Sequence, residues 1–215
     1  MSQHTGVEAP GDSRLVPVVK ALFAGHIPED TVFPYPTIDP SQSETVSAFL
    51  DSFRGFVKDH VDLRAIERER KIPAEVVSGL AALGAFGMTI PEEYGGYGFS
   101  ASSYCRVTEE IGRTDASLGI LIGGHQSIGL KGLILYGTEE QKKKWLPRLA
   151  AGEMIAAFAL TEPGAGSDAA SIQTTAAYDE KTDSFVLNGS KHWISNGGFA
   201  EFFTVFAKDV KLDAE

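Results

Sequence analysis

Apolar residues recur at three- and four-residue steps from Val46 through Phe49, Leu50, Phe53, Phe56 and Val57 to Val61, which marks one face of an amphipathic helix. Ser41 and Glu44, following Pro40, have the spacing of a capping box and predict its start. A second helix is expected from Pro73, in the first-turn position, to a stop at Gly84. The stretch GMTIPEEYGGYGFS reads as a loop, because Gly95, Gly96 and Gly98 would weaken either regular element. Helices are then expected over 100–113 and over 116–136, the latter stopped by Gly137. Thr138 and Gln141 form another capping box that opens EEQKKKWLPRLAAG, with Pro147 ending or kinking that helix.

After Gly152 the period changes to two. MIAAFAL, IQTTAAYD, SFVLN and FFTVFAK read as strands, EKTD as a turn, and Asn188-Gly189 as a hairpin leading into a strand at SKHWIS. Helices first and strands afterwards predict an α+β multi-domain chain, an N-terminal all-α helical bundle followed by a truncated β-sheet or β-barrel domain. The expected boundaries are an N-terminal extension over 1–40, a helical domain over 41–152 and the start of a β domain over 153–215. The extension is rich in proline, with one short helix around LVPVVKALFAG ending at Gly25. A sheet of about five strands stopping at the last of them would leave an open edge, so a piece of a longer protein is expected.

Composition narrows the function classes. A formal net charge of -10 over 215 residues argues against nucleic acid or an anionic membrane as a partner. No transmembrane segment is expected. The opening MSQHTGVEAPGDS has neither a signal-peptide pattern nor the arginine richness of a transit peptide, which fits a cytoplasmic setting. The single Cys105 excludes an internal disulfide framework and reads as a small core residue. No His, Cys or carboxylate set repeats at metal-ligand spacing. His125 reads as a satisfied polar residue, and Lys142, Lys143 and Lys144 as a solvated helix face.

Two segments carry candidate chemistry. In LTEPGAGSD, Gly164 and Gly166 let backbone approach a ligand and offer N–H groups to an anion, Ser167 adds a hydroxyl, and Thr161 and Glu162 stand at the strand end where side chains or amides can meet a flat polar heterocycle. An ordinary glycine turn explains the same residues equally well. In SKHWISNGG, Trp193 beside Ser195 suits a ring-stacking wall with hydrogen bonds along its edge, while a core tryptophan is the plainer reading. Gly119 and Gly123, four apart on one helix face, serve close helix packing or the absence of side chains from a cavity.

Together FALTEPGAGSD and NGSKHWISNGG resemble the two flavin-binding signatures of the acyl-CoA dehydrogenase family. IPEEYGGYGFS, EEIGRTDASLG, GGHQSIGLKGLILYGTEEQKKKWLPRLAAGE and TVFPYP resemble its very-long-chain branch. The resemblance implies FAD at the boundary of a helical and a β domain, and α,β-dehydrogenation of a long or very long fatty acyl-CoA, the first step of β-oxidation. It implies that Phe158, Ala159, Leu160, Thr161, Gly164, Gly166 and Ser167 line the flavin and its pyrophosphate, Ser167 lying close to the thioester as well. Trp193, Ile194 and Ser195 would pack along the ring, with the Ser195 hydroxyl near N5. Many relatives have threonine at that position. Gly119 and Gly123 would flank the acyl cavity.

No catalytic residue is assigned to this chain, since the family's general base is a glutamate in a C-terminal helical domain. Glu109 and Glu110 fall in a segment that is structural in the family. The 215 residues alone are therefore not expected to turn over. The resemblance also implies an electron-transfer flavoprotein as acceptor, a homo-oligomer, and the mitochondrial matrix if the source is eukaryotic. The rival expectations are an acyl-CoA oxidase or flavin monooxygenase on the same scaffold, and a non-catalytic acyl-CoA-binding or assembly protein.

Overall fold

The computed structural model describes residues 18–210. The chain divides into two compact units, Met1–Ile38 and Asp39–Glu215. In the first, α1 (Val18–Phe23) turns its Ala21 inward. Past its end Gly25 takes φ 77°, a left-handed stop that glycine adopts without a Cβ penalty. The expected beginning of this helix, residues 15–17, lies outside the described residues. A single turn, α2 (Glu29–Val32), follows.

The second unit opens on a 3₁₀ turn, Pro40–Gln42, before α3 (Ser43–His60). Asp39 caps it, accepting the Ser41 N–H at 2.9 Å and the Ser41 hydroxyl at 2.7 Å. The expected Ser41–Glu44 box therefore does not form. Gln42 is claimed from afar: its Oε1 accepts Ser100 N at 2.9 Å and Ser103 Oγ at 2.7 Å, and its Nε2 donates to Gly98 O at 3.0 Å. Val46, Phe49, Leu50 and Phe53 bury the expected face of α3.

A short helix that the apolar pattern missed, α4 (Leu63–Glu69), is capped by Asp62 and ended by Arg70 in the left-handed region. The next, α5 (Ala74–Ala82), has Pro73 as its N-cap, one position before the place expected. In α6 (Ala101–Thr114) the inward positions are Ser103, Val107 and Ile111, each four apart. Cys105 falls off that face and is exposed, which corrects its reading as a core residue.

The segment expected as one helix over 116–136 is three. Between α7 (Ala116–Gly123) and α8 (Lys131–Tyr136), residues Gly124–Gly129 form a π-helix. The wider turn directs two consecutive polar residues inward, and both are fully buried. Gln126 donates to Ala85 O at 2.6 Å and accepts Thr89 N at 2.7 Å. His125 reaches Phe86 O at 3.2 Å. These partners come from the Gly-rich loop some forty residues earlier. By length and composition Ala116–Tyr136 is apolar enough to cross a membrane, contrary to the expectation that no stretch comes near; an 18-residue window within it has a mean hydropathy of 1.3, and 44% of that window is buried inside the protein.

The Thr138–Gln141 capping box forms as expected at the head of α9 (Glu139–Ala150), and Pro147 lies inside this helix without ending it. Leu146, Leu149 and Ala150 of α9 meet Leu130, Leu133, Ile90, Met154 and Ala156 in one apolar cluster, so helices and first strand share a core.

That strand, β1 (Ala156–Ala159), pairs in parallel with β4 (Phe202–Val205). The hairpin of β2 (Thr175–Asp179) and β3 (Ser184–Asn188) adds β5 (Lys208–Asp209) in parallel to β2. SKHWIS, expected as a strand after an Asn-Gly hairpin, is not one. Gly189 instead carries the chain across Thr174 so closely that a Cβ would strike the Thr174 side chain and backbone. The rest is an irregular loop.

Candidate functional site

The β1 strand leaves the core at Ala159 and enters a tight turn. Glu162 N donates to Ala165 O at 2.9 Å and Ala165 N to Glu162 O at 3.2 Å, so Pro163 and Gly164 occupy the corner. Proline at the first corner position fits this geometry because its φ is already set. Gly164 and Gly166 do not need glycine for their backbone angles, since neither has positive φ. Nor do they need it for packing, because a Cβ on either meets nothing within 4 Å. Both face open space. Bare backbone with no internal reason for it is what a closely approaching ligand requires.

The second segment lies beside the first. His192 N donates to Thr161 O at 3.0 Å. Lys191 Nζ donates to Leu160 O at 2.9 Å and to Glu162 Oε1 at 2.7 Å. Trp193 follows with φ 58° and is 84% exposed. A left-handed tryptophan is uncommon, and a large ring left in water forgoes its burial energy. Among the described residues Trp193 is therefore not part of the core. Asn196 is also left-handed, φ 65°, and its Nδ2 donates to Leu121 O at 3.0 Å and Ala156 O at 3.2 Å, anchoring the loop to α7 and β1.

The expected site residues fall into three groups. Thr161, Ser167 and Ser195 carry hydroxyls that make no hydrogen bond among the described residues, and Ser167 and Ser195 are exposed. Gly164, Gly166, Trp193 and the half-buried Ile194 belong to the same open region. Phe158 and Ala159 sit further back in the strand: Phe158 is half-buried with its ring 5.1 Å from that of Phe206, and Ala159 O accepts Phe206 N at 3.1 Å. Leu160 gives its carbonyl to Lys191.

The glycines of α7 separate. Gly119 lies against Gly112 of α6, where an added Cβ would stand 3.5 Å from the Gly112 Cα, ordinary helix contact. Gly123 faces nothing within 4 Å, and its neighbour Gly124 is next to Ser195 and Asn196. Gly123 thus opens on free space, while Gly124 is the glycine that lies against the Trp193 loop.

The one buried carboxylate of the glycine segment is committed. Glu162 is buried, and its Oε1 accepts Lys191 Nζ, Thr174 N at 2.9 Å and the Thr174 hydroxyl, while Oε2 accepts Gln173 N at 2.6 Å. The Lys191 ammonium, then the Thr174 hydroxyl, hold its pKa down to about 2. A carboxylate so fully paired is a poor proton acceptor near neutral pH. Glu110 is paired with Arg54 at 2.7 Å, and Glu109 with Arg106 at 3.5 Å.

Sequence reasoning placed Glu162 at the strand end as a group facing a heterocycle, whereas it is buried and paired with Lys191; the tying roles of Lys191 and Asn196 were missed. The one local signal was polar residues flanking each glycine segment.

Comparison with known proteins fits this geometry. Residues 43–153 match the acyl-CoA dehydrogenase N-terminal domain and residues 157–215 the acyl-CoA dehydrogenase middle domain. The chain belongs to the acyl-CoA dehydrogenase family. It is 46% identical over 194 residues to the mitochondrial very long-chain specific acyl-CoA dehydrogenase of Macaca fascicularis, 90% of this chain and 30% of that protein. It is 44% identical over 190 residues to the probable acyl-CoA dehydrogenase FadE10 of Mycobacterium tuberculosis, 88% of this chain and 29% of that one. This chain thus spans about 30% of the length of the curated relatives it matches.

Among solved structures, an acyl-CoA dehydrogenase complexed with FAD from Bacillus anthracis superposes with TM-score 0.71 at 38% identity, over 80% of this chain and 30% of the other. A structure titled as the electron transferring flavoprotein of Acidaminococcus fermentans superposes with TM-score 0.73 at 34% identity, over 82% and 46%.

Proposed function

We propose that this chain forms the flavin-facing wall of an FAD-dependent acyl-CoA dehydrogenase that acts on a long or very long fatty acyl-CoA thioester. The observation that carries the reading is the pairing of open Gly164 and Gly166 with the exposed, left-handed Trp193 across one hydrogen-bonded seam. FAD supplies the hydride acceptor when bound. In this reading Gly164, Gly166 and Ser167 take the pyrophosphate through backbone N–H groups and a hydroxyl. Thr161 meets the polar edge of the ring, with Leu160, Ala159 and Phe158 backing it, and Trp193, Ile194 and Ser195 cover its flank. Ser195 is the hydroxyl that stands where charge develops during reduction. Ser167 and Gly123 border the acyl thioester, and Gly119 acts from the helix packing behind it.

The proposed organisation is an extension over 1–40, a helical domain over 41–152 and a β domain over 153–215, with the site along the seam between the last two. No carboxylate among the described site residues is free to take the α-proton, so the general base is supplied from outside this set. Homo-oligomer formation and an electron-transfer flavoprotein as acceptor belong to the same proposal, on the strength of the family resemblance. For location we propose the mitochondrial matrix in a eukaryote, as the Macaca fascicularis protein's name suggests, and the cytoplasm in a bacterium.

The test is FAD titration of the protein and of Gly166→Val. A branched side chain on that open backbone is expected to weaken FAD binding at least tenfold with little change in thermal stability, since it meets no protein atom. Wild-type FAD affinity in Gly166→Val would remove the glycine loop from the site.

A further inference from the structure

Two buried charges stand directly behind the proposed flavin wall without facing it. The Lys191 side chain is 12% exposed and that of Glu162 6%. A buried ion pair loses solvation that its mutual attraction offsets only in part, and apolar replacements are often as stable. Stability is thus a weak reason for this pair.

Its geometry gives a stronger one. Lys191 Nζ bridges Leu160 O and Glu162 Oε1, on either side of Thr161, while His192 N takes Thr161 O. Three successive residues at the end of β1 are thus tied to two successive residues before Trp193. Glu162 extends the tie to a third segment through Gln173 N, Thr174 N and the Thr174 hydroxyl. Gly189 seats the returning chain against that same Thr174. One carboxylate and one ammonium therefore join the strand exit, the start of β2 and the tryptophan loop.

We propose that Lys191 and Glu162 are positioning residues that fix the glycine turn and the Trp193 loop in one register, so that both meet a single flat ligand at once. The proposal rests on the flavin reading above. Without the ammonium, His192 N to Thr161 O is the remaining bond between the glycine turn and the start of the loop, and although Asn196 still anchors the far end to Leu121 and Ala156, the left-handed Trp193 between them is free to relax. The Glu162 carboxylate keeps its three other donors, so the fold survives.

The experiment compares wild type, Lys191→Met and Lys191→Arg by FAD titration, by the visible spectrum of bound flavin, and by amide hydrogen exchange of the ligand-free protein. Lys191→Met is expected to bind FAD at least tenfold more weakly, to lose the resolved shape of the bound-flavin band, and to exchange the His192 amide faster while the β1 amides are unchanged. Lys191→Arg, which keeps charge and donors, is expected to recover most of the affinity. Lys191→Met with wild-type FAD affinity, spectrum and His192 exchange would overturn the proposal. So would a Lys191→Met protein that does not fold, which would assign the pair to the fold. Wild-type protein that binds no FAD would instead overturn the flavin reading, and this inference with it.

Discussion

Acid should loosen this protein through His125. The ring is fully buried in the π-helix between the Gly-rich loop and β1. Ala156 N donates to its Nδ1 at 2.9 Å, which leaves Nε2 to carry the proton and donate to Phe86 O at 3.2 Å. A second proton has no place on Nδ1 while that bond stands. Burial is the largest cause and pushes the pKa down from 6.5 to about 4, against the opposing pull of the Phe86 and Leu149 carbonyls. With the folded pKa lowered, the unfolded chain binds a proton between these values that the native protein refuses. Stability is full above the unfolded value and falls as pH drops through this window, by about 1.4 kcal/mol per unit.

From about pH 7.5 to about pH 4.5 the integrated loss is on the order of 2–3 kcal/mol, a large share of the stability of an ordinary domain. Urea unfolding followed by far-ultraviolet circular dichroism at several pH values measures it. His125→Asn keeps an oxygen acceptor for Ala156 N–H and does not titrate. It should start roughly 1–3 kcal/mol less stable, yet show a pH dependence flatter by the His125 share. Parallel pH curves for wild type and His125→Asn would refute the reasoning.

Other expectations follow from single side chains. Thr89 Oγ1 is buried with no hydrogen-bond partner, so Thr89→Val should stabilise the fold by about 1 kcal/mol and raise Tm by about 2–4 °C, read by calorimetry. Gly123→Leu places a side chain in open space and gains helix propensity of about 1 kcal/mol. In the active enzyme it should shift preference toward shorter acyl-CoAs, whereas an equal loss on every chain length would place Gly123 in packing. Ser195→Ala should keep FAD but slow its reduction by acyl-CoA, lowering kcat more than it raises KM, by roughly the 1–3 kcal/mol of a lost buried hydrogen bond. Unchanged reduction kinetics would remove Ser195 from the site.

Local chemistry was legible wherever neighbours in sequence were also neighbours in space. The Thr138–Gln141 box, the buried face of α3 and the β2–β3 hairpin depend on residues a few positions apart, and all three form. The two glycine segments were legible as candidate site elements because glycines beside hydroxyls are visible in sequence. What failed depended on distant partners. Gln42 serves Ser100 and Ser103, and Asp39 displaces the expected Ser41 cap. His125 and Gln126 turn inward to carbonyls near residue 85, and the helix opens to a π turn there. SKHWIS alternates like a strand, but Thr174 and Glu162 hold its start in place and leave Trp193 left-handed. The period-two pattern contains none of those contacts.

The central claim is that Trp193 faces a bound flavin, and the chain has only two tryptophans with which to test it. Trp145 and Phe202 are half-buried and pack together against the core, with ring centroids 6.2 Å apart, so Trp145→Phe leaves Trp193 as the sole indole emitter. Titrating that variant with FAD should quench the exposed Trp193 emission to completion at one FAD per chain, while Trp193→Phe, which retains only Trp145, should quench far less. FAD binding that leaves Trp193 emission intact, or no binding at all, would contradict the assignment.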